Sequence, residues 1–224
     1  MLPEDDFLRR LPQILPLVDR LRLETLIFAH DLMEIALRRL HSAGITYGGG
    51  TQNATDRIAM FCDAWTIVDQ IHVVRQVLLS LTTLSRKSDT QEYLDHFSIA
   101  SVLRNKMDHL NENLPNRAKA NGSTNALFGS LTFFKPHPDL WEQGLQSGEF
   151  AGEFFMVSAG LMPDQMASTA SFDDLNIQLP ICSFRLEAFD QRLLIERAVL
   201  QLRALLRRMS DDCPSSEHLA QFAA

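Results

Sequence analysis

The chain has 224 residues, of which 46% are hydrophobic and 22% charged, and a formal net charge of −7. That length supports one large domain with a substantial core, and an acidic balance works against a protein that coats phosphate backbones through a broadly basic surface. Gly and Pro are too scarce for a disordered chain.

Cys62, Cys182 and Cys213 are far apart and form no CxxC pair, so neither a disulfide framework nor a zinc ribbon is expected. A reducing compartment fits that usage. Cys62, in an apolar helical stretch, reads as a small core residue. Near the start, Glu4, Asp5 and Asp6 stand where a secretory signal needs basic residues and then an apolar run. No stretch approaches the roughly 18 uncharged apolar residues of a membrane span. A cytoplasmic protein with no membrane partner is expected.

Residues 1–16 carry Pro3, Pro12 and Pro16 and read as an irregular lead-in with a helical turn around Phe7 to Leu11. A first long helix is expected from Leu17 to His41, with Leu26, Met33, Leu37 and Leu40, and also Phe28, Leu32 and Ile35, at helical spacing. So wide a stripe predicts burial on more than one side. Gly44 is its expected C′ residue, and Gly48-Gly49-Gly50 follows as a loop. A second helix is expected from near Asn53–Asp56 to Leu81, with Ile58, Phe61, Trp65, Val68, His72 and Leu79 along one face. A third is expected from Thr90 to Asn113, where Tyr93, Phe97, Ala100, Leu103, Met107 and Leu110 form the apolar stripe and Pro115 stops it. Asn116 to Asn125 is a polar loop.

The pattern then changes. Ala126–Lys135, Glu149–Leu161 and Leu175–Phe189 are rich in Phe, Leu and Val and are separated by Gly and Pro, which predicts three short antiparallel strands. A last helix is expected from Asp190, as N-cap, to Met209, followed by a mobile tail at 210–224. The expected fold class is therefore mainly α: a single domain over 1–224, an up-and-down bundle of about four long helices, with a small antiparallel β insertion at about 126–189 between the third and fourth.

One segment of the third helix concentrates functional chemistry: Arg104-Asn105-Lys106-Met107-Asp108-His109. On a helical wheel Arg104 sits at the edge of the apolar stripe and His109 about 140° further round. Ser101, Asn105, Asp108 and Glu112 fall between them and make a polar face on which a ligand or second polypeptide can dock. The segment resembles the motif of the HEPN superfamily, an Arg, four to six residues and then a His, often with a polar residue after the Arg. Here four residues separate Arg104 from His109 and Asn105 is the polar one. Asp63-Ala64-Trp65-Thr66-Ile67-Val68-Asp69 and Leu127-Phe128-Gly129-Ser130-Leu131 are similar to a bacterial group with HEPN-like helices. The resemblance covers roughly residues 17–115 and 190–209, without the strands.

What the resemblance implies is a helical-bundle homodimer with both motifs facing one cleft, a metal-independent endoribonuclease without cofactor, and a place in a toxin–antitoxin or defence system with RNA and a protein antitoxin as partners. It implies proton transfer by His109, charge stabilisation on the phosphorane-like state by Arg104, and a phosphate-orienting or His-supporting role for Asn105, with Ser101, Asp108 and Glu112 as binding residues. The alternative is a non-catalytic helical interaction module, or a nucleotide- or small-ligand-binding one.

Other constellations carry less. Asp69 and His72 stand at i, i+3, but no second Glu-x-x-His completes a dimetal site, and none is expected from His30, His72, His96 and His109. Asp63 and Asp69 point about 240° apart on their helix, so they are not an acid/base pair; one of the two is expected to face Arg104 and hold it. Gly48-Gly49-Gly50 lacks the Gly-Lys-Ser/Thr of a phosphate loop. Phe133, Phe134, Phe150, Phe154 and Phe155 lack interleaved basic residues and read as core or dimer interface.

Overall fold

A computed structural model describes residues 1–4, 6–11, 13, 15–47, 54–81, 88–112, 114, 128–137, 152–159 and 183–211. The loops read at 48–50 and 116–125 and nearly all of the 210–224 tail lie outside these residues. The protein is mostly helical with a small antiparallel sheet. Its described elements are a 3-10 turn at Phe7–Arg9, helices α1 (Leu17–Thr46), α2 (Ala54–Ser80), α3 (Ser88–His96) and α4 (Ser98–Asp108), strands β1 (Ser130–Pro136), β2 (Gly152–Ser158), β3 (Ser183–Ala188) and β4 (Gln191–Leu194), and helix α5 (Ile195–Asp211). Among the described residues no helix is long and apolar enough to cross a membrane.

α1 and α2 pack along each other. Leu26, Met33, Ala36 and Leu40 of α1 and Ala64, Ile67, Ile71 and Val74 of α2 are fully buried. The wide stripe read in α1 is buried on one side only, because Phe28 and Ile35 are exposed, as are Ile58 and Leu79 of α2. Cys62 is exposed rather than core, since its neighbours Phe61 and Asp63 take the inward positions. α1 also runs a turn past His41. Gly44 lies inside it, its carbonyl accepting from Tyr47 N–H. Edge contacts from the Tyr47 ring to Phe133 (5.3 Å) and Phe155 (5.4 Å) fix the helix end against the sheet.

The stretch read as one third helix is two. Phe97 leaves helical geometry at φ −107°, ψ 18°. Its ring is buried, 4.8 Å from that of Tyr93. A Ser98 hydroxyl donates back to Asp95 O and helps close the break. α4 then runs only to Asp108, and His109 is its C-cap. Helical backbone resumes at 110–112.

The sheet has four strands in the order β2-β1-β3-β4, all antiparallel. β1 is central and pairs Phe133 with both Phe155 and Phe184. Gly129 enters it at φ 98°, where a Cβ would sit 2.6 Å from the Glu187 carbonyl oxygen. The strand absent from the sequence reading is β4. Asp190 is not an N-cap; it forms with Phe189 a two-residue hairpin turn at φ 61° and 53°. Left-handed backbone at both positions matches the twist of the flanking strands. Asp tolerates that geometry; Phe189 offsets its strain by burying its ring beside Trp65. α5 therefore starts at Ile195, packing Val199, Leu202 and Leu206 inward.

Candidate functional site

α2 and α4 bring together two polar rows. On α2, Asp69, His72 and Arg75 are three residues apart and share a face. On α4, Ser101, Arg104 and Asp108 do the same at spacings of three and four. Arg104 Nε lies 3.4 Å from Asp69 Oδ1 and 3.4 Å from Asp108 Oδ2. One turn along, His72 Nδ1 is 3.1 Å from Ser101 Oγ, which also accepts from Arg75 Nε at 3.4 Å.

This settles which aspartate holds Arg104. Asp69 does, while the buried Asp63 accepts from Arg39 Nε of α1 at 2.9 Å. Burial pushes the Asp69 carboxyl above its ordinary range, the Asp108 charge adds to that, and Arg104 and His72 oppose both. Burial likewise lowers the Arg75 guanidinium, against the pull of Tyr93 and Asp95.

The side chain of Arg104 is one-third exposed. Asn105 is exposed, and its backbone carbonyl accepts the His109 N–H at 3.1 Å. Lys106 Nζ donates to the Phe189 carbonyl at 3.0 Å, anchoring the motif to the β3–β4 hairpin. His109 is 63% exposed, its Nδ1 3.4 Å from Glu112 Oε2. The structure thus gathers Ser101, Arg104 and Asp108 against α2. It places Asn105, His109 and Glu112 at the exposed end of α4. The polar face read from the wheel is divided in two: Ser101, Arg104 and Asp108 meet α2, whereas Asn105 of the same helix is exposed and His109 and Glu112 lie past its end at Asp108.

His72 and Arg75 are site residues that the sequence reading did not assign. Their signal is the spacing of three that continues from Asp69. Chemically the α2–α4 seam offers a guanidinium poised between two carboxylates, next to a half-buried imidazole held through one nitrogen. Among the described residues no three His, Cys, Asp or Glu side chains converge to hold a metal ion. A cavity of about 160 Å³ between α3 and α5 is lined by Glu92, Tyr93, Gln201, Ala204 and Arg208. Its walls are mostly polar, unlike the apolar pocket that favours a small-ligand bundle. Comparison with protein-family models, with curated proteins and with solved structures finds no match.

Proposed function

We propose that this chain is a HEPN-like protein that works as a homodimer and cleaves RNA without a metal ion, in a toxin–antitoxin or defence setting. On this reading α1, α2, the α3–α4 pair and α5 make the up-and-down bundle, and the sheet is an appendage. The supporting observation is the placement of Arg104 and His109. Arg104 lies between two carboxylates with a third of its side chain exposed, and His109 stands out at the C-cap of the same helix.

Arg104 turns toward α2 while His109 turns to the exposed end. On this reading a second copy brings its His109 to the Arg104 of the first, so that each phosphate meets an Arg from one chain and a His from the other. A phosphate arriving at Arg104 exchanges with Asp108, the more exposed of its two carboxylates. The guanidinium then stabilises the charge that builds on phosphorus.

The engagement of Arg104 by two carboxylates also favours the second reading, a non-catalytic interaction module in which the same contacts are structural. Cleavage of total RNA and tRNA in the presence of a chelator separates the two. The wild type is expected to leave 2′,3′-cyclic phosphate ends, and Arg104→Ala and His109→Ala to lose at least about 100-fold in rate. No cleavage by a folded wild-type dimer selects the interaction module.

A further inference from the structure

We infer that His72 is an acid/base residue of the same site, supplied by the chain that supplies Arg104 and oriented by Ser101. The inference rests on the ribonuclease reading and adds to it a group outside the Arg104–His109 motif.

Two rungs join α2 to α4: Asp69 to Arg104 at 3.4 Å and His72 to Ser101 at 3.1 Å. Asp69 and His72 are neighbours on one helix, and Ser101 and Arg104 on the other. At i, i+3 spacing the rungs stand about 5–6 Å apart. A phosphate on the Arg104 guanidinium therefore lies roughly one rung from the His72 ring, within reach of a 2′-OH flanking that phosphate.

The ring is also held as an acid/base group needs. Nδ1 faces the Ser101 hydroxyl, and Nε2 meets no hydrogen-bond or ion-pair partner among the described residues. With the proton on Nδ1, the two lone pairs of Ser101 Oγ accept both the Arg75 Nε–H and the Nδ1–H. Nε2 then keeps its own lone pair. An imidazole fixed through one nitrogen and open at the other has its orientation set, and in that tautomer Nε2 is the base. The charged and titratable groups around it are Asp69 and Arg75 on α2, Arg104 and Asp108 on α4, and Tyr93 and Asp95 on α3 by way of Arg75.

In the step this allows, His72 Nε2 takes the 2′-OH proton as the 2′-oxygen bonds to phosphorus. The bond from phosphorus to O5′ breaks, and O5′ takes a proton from the imidazolium of His109 on the second copy. The products are a 2′,3′-cyclic phosphate and a 5′-OH, and one proton has passed from one imidazole to the other.

The test is single-turnover RNA cleavage by the full-length protein, comparing wild type, His72→Gln, His72→Ala and Ser101→Ala, with RNA affinity and thermal midpoint measured beside it. His72→Gln is expected to lose at least about 100-fold in rate while RNA Kd stays within about threefold. Added imidazole is expected to restore part of the rate to His72→Ala, which a packing role does not produce. Ser101→Ala is expected to lose roughly tenfold through lost orientation. His72→Gln cleaving within about threefold of wild type overturns the assignment and leaves the ribonuclease reading standing. If both His72 variants fail to fold, an unchanged rate in Ser101→Ala overturns it instead. A wild type that does not cleave overturns both.

Discussion

Glu34 sits on the buried side of α1, with His30 Nε2 at 3.2 Å and an Arg203 nitrogen of α5 at 2.6 Å from its Oε1. Burial alone pushes a carboxyl up. Here His30, Arg203 and the N-terminal ammonium outweigh that and hold it at about 2, against an ordinary 4.5. A folded value below the unfolded one means stability that is fully present above pH 4.5 and lost as the pH falls toward 2. The size is about 3 kcal/mol. Denaturant unfolding between pH 5 and pH 2 is expected to show that fall in wild type and a flatter dependence in Glu34→Gln, and parallel curves for the two proteins exclude this role for Glu34. None of this was legible from sequence, where Glu34 is one charged residue on a long helix. Its burial follows from the packing of α5 across α1, which no local pattern encodes. Asp63 and Asp69 make the same point. That one of them holds Arg104 could be read from their spacing, but the choice needed the position of α4 against α2.

At the scale of elements, the sequence reading succeeded where periodicity is strong and failed where a single residue overrides it. α1 and α2 came from repeated apolar spacing, and the first three strands from segments rich in Phe, Leu and Val between Gly and Pro. The third helix did not survive as one piece: Phe97 leaves helical geometry in the middle of an unbroken apolar stripe, with no Gly or Pro to mark the break. β4 was missed because Asp190 is as good a turn residue as an N-cap, and the four residues after it suit either role. Glu196 shows how the short strand is completed. β4 pairs with β3 only over Arg185 to Ala188, and beyond that the Phe184 N–H has no strand to meet. Both Glu196 oxygens take it, at 2.8 Å each, and Oε1 also faces His41 Nε2 at 3.3 Å. A carboxylate from the first turn of α5 thus continues the ladder. Glu196→Ala leaves a buried N–H unsatisfied and is expected to lower the unfolding free energy by roughly 3 kcal/mol. Glu196→Gln keeps one acceptor and is expected to cost less than half of that. Equal losses in the two, measured by denaturant midpoint, show that one acceptor oxygen is not enough and that the full carboxylate is needed.

At the scale of the whole molecule, the proposed site is a composite: Arg104 and His72 from one chain, His109 from the other. A twofold-symmetric dimer has two such sites, each drawing on both chains. Arg104→Ala and His109→Ala homodimers therefore lack a complete site anywhere. A mixed dimer of the two variants has one site with neither function and one site that is whole, because the His109→Ala chain supplies Arg104 and the Arg104→Ala chain supplies His109. When equal amounts exchange at random, about half the dimers are mixed and each carries one whole site of two, so activity should recover to about a quarter of wild type. Recovery is expected only after subunit exchange, achieved by co-expression or by mild denaturation and refolding of the mixture. If Arg104 and His109 act within one chain, mixing restores nothing. That outcome, with a cleaving wild type, places the cleft on a single copy and makes the dimer unnecessary to the chemistry. The experiment also distinguishes the site from its acidic surroundings. With a net charge of −7 per chain, the proposed RNA binding relies on local guanidinium groups rather than on the field of the whole protein. Losing Arg104 should therefore weaken RNA binding as well as cleavage, whereas losing His109 should affect cleavage alone.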